Sequence, residues 1–265
     1  TFAGLAYQGG ASPFTLGTFR FLLPATLLLI ILFLKKKPLL MSSRHGLGSA
    51  ILGVVTIIYT LALLTAIERL PVPIAILIFY LFPIFTGIIL AATGWDVFGR
   101  TKIIGALIAF LGLALALGVT FGELDGLGMA LAVVAAIGLA TVSAVSERLI
   151  GGADPRQTTL YMSVSAFVTM LIVVAIRGSL EMPVDVTGWT GFWISNLLYA
   201  AGMIGFFYAI AVVGAGAATF FSNLEPLVVT GASFLLLGQA LFPLQLLGVV
   251  IVVGALIYFA RENSG

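Results

Sequence analysis

Residues 22–34 read LLPATLLLIILFL, and residues 103–119 read IIGALIAFLGLALALGV. Neither stretch holds a charge, and neither alternates. A strand of a membrane barrel would place polar residues at every second position, and a helix with a solvated face would show them every third or fourth. A helix built from either stretch is apolar on all sides. Such a helix is stable where its surroundings are as apolar as itself, and about 20 residues of it cross the hydrocarbon of a bilayer.

The rest of the chain extends the argument. Of 265 residues 61% are hydrophobic, with only 12 Lys and Arg against 10 Asp and Glu. A soluble domain of this length carries roughly 65 charges. The fold class expected is therefore all-α integral membrane, with short turns and no sizeable extramembrane domain. Breaks at Gly, Pro and polar clusters divide the chain into ten predicted spans. The first is a fragment, 1–9. The others cover 13–34, 46–67, 71–93, 102–121, 127–149, 157–176, 190–213, 215–238 and 243–260.

Composition also excludes chemistry. No cysteine is present, so disulfides and thiolate sites are ruled out. The lone histidine, His45, lies in a polar turn beside Arg44, which argues against an imidazole metal site. No phosphate-binding loop of the G-x-x-x-x-G-K-[ST] form occurs, and no clustered carboxylates or G-x-S-x-G serine suggest an enzyme. No cofactor or metal is expected. The net charge of +2 reports topology rather than nucleic acid. With the chain's start inside, the inner turns hold Lys35, Lys36, Lys37, Arg44, Arg100, Lys102, Arg148, Arg156 and Arg261, and the outer turns only Arg69 and Arg177. Both termini are thus expected in the cytoplasm.

A shift of 143 residues lays the second half over the first without a gap. Pro83 falls on Pro226, Ala75 on Ala218, Gly105 on Gly248 and Ile108 on Ile251, and the span boundaries coincide. The reading is two five-helix repeats, 1–121 and 122–265. Five is odd, so the repeats must be inverted, as in many secondary transporters. Helix 1 is then truncated: Leu127 maps upstream of Thr1, and about 17 residues of the first span are expected before it.

Ser12-Pro13 with Arg20-Phe21 opening span 2, Ala75 to Pro83 in span 4, and Leu224-Glu225-Pro226 to Gly238-Gln239 in span 9 carry a likeness. With the five-plus-five architecture, the chain resembles the drug/metabolite transporter superfamily of the EamA type. It departs from that pattern at two positions: the closing Glu is Gln239, and its first-half counterpart is Asp96. The resemblance implies a multi-pass carrier in a bacterial-type inner membrane that exports small metabolites, amino acids and aromatic ones among them. Nucleosides, drugs or a channel are the alternatives. The partners implied are a small-molecule substrate and the lipid bilayer, without nucleic acid, for a monomer or weak homodimer.

The residues themselves nominate a site. Pro83 and Pro226 each remove a helical hydrogen bond and free the carbonyl four residues earlier, on Phe79 and Ser222. Such groups are tolerated at membrane depth where protein packs on them or water reaches them. A structural kink and a ligand wall are both open. Thr219, Ser222, Asn223 and Thr230 lie along one face of span 9, and the aligned face of span 4 carries Phe79 and Tyr80. Asn196 and Tyr199 in span 8 and Tyr59 in span 3 complete the nominated substrate-binding set. Glu225 lies about 15 Å and Arg20 about 10 Å along their spans. They read either as a buried ion pair or as coupling and substrate-binding charges. Gly105 and Gly112, matched by Gly248 and Ala255, read as scaffolding or a dimer contact.

Overall fold

In the computed structural model, residues 2–95, 100–119, 125–151, 154–177, 180–237 and 242–262 are described. Among them helix is the regular structure throughout: α1 (Phe2–Gln8), α2 (Pro13–Leu34), α3 (Ser43–Arg69), α4 (Val72–Phe79), α5 (Phe82–Ala92), α6 (Arg100–Ala116), α7 (Gly126–Ile150), α8 (Pro155–Arg177), α9 (Val186–Phe221), α10 (Leu224–Leu237) and α11 (Pro243–Glu262). Seven stretches among the described residues are long and apolar enough to cross a membrane, with α4 and α5 taken together as one. The chain is an all-helical, multi-pass membrane protein.

Helix α9 is 36 residues long. At 1.5 Å per residue that is about 54 Å, well beyond one crossing. It is interrupted at Gly214, whose φ of 82° and ψ of 162° lie outside the helical region and are open to glycine alone. The interruption falls at the boundary predicted between spans 8 and 9. Span 4 departs from its single predicted helix, and so does span 9 beyond Gly214. Each stops and restarts just before its proline, for the steric reason developed below. Gly238, Gln239 and Asp96 lie outside the described residues.

The chain forms two compact units. One comprises Thr1–Ile57 and Val145–Val212; the other comprises Ile58–Ala144 and Val213–Gly265. Each unit draws on both halves of the sequence.

In the first unit α2 packs along α8, and α3 crosses α8 at Gly53. A side chain there would bring its Cβ to 2.3 Å from the carbonyl of Met162. Only hydrogen fits. Next to it the Ser165 hydroxyl donates to the Ala50 carbonyl across the helices at 2.7 Å.

In the second unit α6 and α11 are in backbone contact. A Cβ on Gly248 would lie 2.3 Å from the Ala116 amide nitrogen and 2.5 Å from the Gly112 carbonyl oxygen. The small residues of the two helices thus face each other inside the chain, which is the scaffolding use of that pattern. Without a hydrophobic drive in lipid, this closeness is what holds helices together, through dispersion contacts. Ala109, Leu113, Val252, Phe220 and Phe259 close the surrounding core, with Phe220 and Phe259 stacked at 4.1 Å.

Candidate functional site

The second unit contains both of the helix interruptions that precede a proline. At the first, α4 ends at Phe79, Tyr80 and Leu81 intervene, and α5 begins at Phe82 with Pro83 in its second position. The proline ring would collide with the carbonyl four residues back, so the helix cannot run through. Restarted, it carries the proline where no N–H is required. The Tyr80 and Leu81 amides turn back onto the Ile76 and Ile78 carbonyls.

The second interruption follows the same logic. α9 ends at Phe221, Ser222 and Asn223 intervene, and α10 starts at Leu224 with Pro226 in its third position. The Ser222 carbonyl expected to be orphaned is not: it accepts from the Glu225 amide at 3.0 Å. Glu225 itself lies in the first turn of α10, where the helix dipole favours a carboxylate, and not in the middle of a continuous helix.

The two interruptions touch. The Tyr80 hydroxyl donates to the Glu225 carboxylate at 3.0 Å. Tyr80 is 6% exposed, whereas the Glu225 side chain is exposed. Around the phenol, Phe79 and Phe82 pack at ring distances of 5.9 and 5.5 Å, and Tyr59 stacks on Phe79 at 6.5 Å. The phenol is therefore set among rings. Thr219, Ser222 and Asn223, at the end of α9 and in the break after it, use their hydroxyl protons and one N–H of the asparagine amide on their own helix. Thr219 donates to the Ala215 carbonyl at 2.7 Å, Ser222 to Ala218 at 3.0 Å, and the Asn223 amide to Phe220 at 2.8 Å. Back-bonding of this kind satisfies the hydroxyl proton and leaves lone pairs over.

The remaining nominated residues belong to the first unit. The Arg20 guanidinium lies over the Tyr199 ring at 5.2 Å, a cation–π arrangement, and Phe21 meets the same ring edge-on at 5.7 Å. Arg20 Nε is buried without a hydrogen-bond partner among the described residues. Asn196 is fully buried; its amide donates to the Phe192 carbonyl at 2.9 Å, while Oδ1 has no partner among the described residues. Arg20 and Glu225 thus fall in different units, each with an aromatic neighbour of its own.

Sequence reasoning nominated Tyr59, Phe79, Tyr80, Thr219, Ser222, Asn223 and Glu225, which share the second unit. It missed Phe82, and it missed the bond between Tyr80 and Glu225. The available signal was a tyrosine and a carboxylate each within three residues of an aligned proline. Among the described residues, no group of three acidic or histidine side chains gathers where a metal ion could be held. The arrangement suits recognition of a ligand by rings, lone pairs and one carboxylate.

The family model for EamA-like transporters matches residues 1–118 and 126–261. Comparison with curated proteins returns no match. Among solved structures, one crystal structure superposes with a TM-score of 0.81, covering 99% of this chain and 93% of its own, at 17% identity. At that identity the likeness shows the fold alone.

Proposed function

This chain belongs to the EamA-like transporter family, and from that premise we propose that it is a secondary carrier exporting amino acids, aromatic and apolar ones included, by alternating access. The membrane is of the bacterial inner type, and both termini are cytoplasmic. The observation that carries the substrate class is the contact between the two helix interruptions. There the Tyr80 hydroxyl on the Glu225 carboxylate, backed by Phe79 and Phe82, offers an acidic group for an ammonium beside rings for an apolar side chain.

The architecture belonging to this reading is ten spans in two inverted repeats, 1–121 and 122–265. Supporting it, each helix in the two closely packed pairs is the other's counterpart at a shift of 143. Pro13–Leu34 packs on Pro155–Arg177, and Arg100–Ala116 on Pro243–Glu262. A helix that packs on its own copy is what a two-fold arrangement produces. Because α6 and α11 use their small faces on each other, the reading is a monomer. Arg20 and Glu225 serve as separate substrate-binding or coupling charges in it, with Asn196, Tyr199 and Tyr59 as further binding residues. Such a carrier needs no cofactor and is not an enzyme.

Counterflow in proteoliposomes tests this. With unlabelled amino acid inside, labelled amino acid outside should accumulate transiently and saturably. Accumulation of nucleosides but not amino acids would move the substrate class to the alternative reading. Flux that is linear in concentration, without stimulation from the opposite side, would mean a channel.

A further inference from the structure

The first unit holds a second feature that the transport reading does not use. A cavity of about 320 Å³ lies where the later turns of α2 meet the start of α8 and residues 201–208 of α9. Leu28, Ile31, Ile204 and Gly205 make its apolar wall, and Arg156 and Tyr208 stand at it with polar groups. It is small for an enclosed ligand pocket. It is open, however: Tyr208 is 55% exposed, and Gly205 is exposed.

Arg156 is the residue that needs explaining. It sits in the first turn of α8, where a cation opposes the helix dipole, so it does nothing for that helix. Its backbone amide donates to Asp154 Oδ1 at 2.9 Å, but among the described residues no carboxylate forms an ion pair with its guanidinium. Lys35, Lys36 and Lys37 follow Ile31 within about one to two turns and are exposed, so this end of the groove is cationic. A bias of positive charge toward one membrane face accounts for the sign of these residues. It does not account for an arginine beside an apolar groove that opens outward. Gly205 adds a steric observation: a Cβ there would meet nothing within 4 Å, so the groove floor is bare by composition and not by crowding.

A cation at one end of an outward-open apolar groove, on a multi-pass membrane protein, complements an anionic amphiphile. We infer that this groove seats an anionic phospholipid, its phosphate on the Arg156 guanidinium and the start of an acyl chain along Gly205 and Ile204. The inference rests on the chain being a multi-pass membrane protein and is independent of what it transports.

Native mass spectrometry of the purified protein, with equal amounts of phosphatidylglycerol and phosphatidylethanolamine added, reads the outcome directly. The wild type should retain phosphatidylglycerol over phosphatidylethanolamine by about tenfold, which corresponds to about 1.4 kcal/mol. Arg156→Gln should remove the preference. Gly205→Leu, which grows into open space, should lower the retention of both lipids while the melting temperature stays put. A preference that survives Arg156→Gln, or retention unchanged by Gly205→Leu, would overturn the site. So would inorganic phosphate displacing phosphatidylglycerol completely, which would leave a small-anion site without a lipid chain.

Discussion

Within the second unit, two helix pairs answer the same repeat in opposite ways. α6 and α11 are unbroken and pressed together until a Cβ on Gly248 would lie 2.3 Å from the backbone of α6. α4/α5 and α9/α10 are interrupted at matching places and are joined by a side-chain hydrogen bond of 3.0 Å. Glycine lets backbones touch; proline stops a helix and makes its next stretch restart. One pair is built for close packing, and the other brings a phenol onto a carboxylate. A change in the first should therefore be felt as folding and a change in the second as transport.

The largest expected effect lies in the rigid pair. Gly248→Leu must separate α6 from α11, a cost of about 1–3 kcal/mol or more for overpacking, and folded monomer in detergent should be lost on size exclusion. Gly254→Leu, on the same helix with nothing within 4 Å, is the control and should fold. A stable Gly248→Leu would end the contrast.

Next in size is the interrupted pair. Tyr80→Phe and Glu225→Gln should each reduce counterflow about tenfold, and because a hydrogen bond to a charged group contributes about 1.5–3 kcal/mol to the fold, each should lower the melting temperature by several degrees while the protein stays folded. The double variant should be no worse than the poorer single one. Additive losses would mean that the two side chains act separately.

A smaller effect should follow Pro226→Ala, which allows α9 and α10 to close over Ser222 and Asn223. Amide exchange at residues 222–225 should slow, with counterflow down a few-fold. Pro83→Ala should do less, because the first interruption bears no carboxylate. Equal losses would assign the chemistry to the backbone alone.

The smallest effect is expected at the Arg69–Asp125 ion pair, 3.1 Å long and exposed, in the turn region of this unit. The Arg69 hydrogen bond, helped by the Leu127 amide, holds the Asp125 carboxyl below its ordinary range. A depressed carboxylate stabilises the fold above its unfolded value and loses that contribution as pH falls through the folded one. Arg69→Gln and wild type should therefore differ slightly at neutral pH and converge below about pH 4. Added salt should also erase the difference at neutral pH.

The contrast between the pairs was only half readable in the sequence. Gly105 with Gly112, and Gly248 with Ala255, recur at seven-residue spacing in stretches without charge, and that suffices to name a packing face. Pro83 and Pro226 align, and that suffices to place two disturbances at matching positions. Where the helices actually stop was not readable, because a proline forbids the bond behind it without fixing which residues absorb the strain. The Tyr80–Glu225 contact joins positions 145 apart, two off the repeat, and the Arg20–Tyr199 contact joins positions 179 apart. Periodicity gives the face a residue lies on; the distance across to another helix comes only from packing.

The hydroxyls of Thr219, Ser222 and Thr230 all donate to their own helix. As hydroxyls they have lone pairs to give and no protons, and the second N–H of the Asn223 amide is the one donor left beside them. In the carrier we propose, such an edge would sort a molecule by the N–H or O–H groups it brings. An ammonium would find acceptors along it, the Glu225 carboxylate among them, while a bare carbonyl would find oxygen against oxygen.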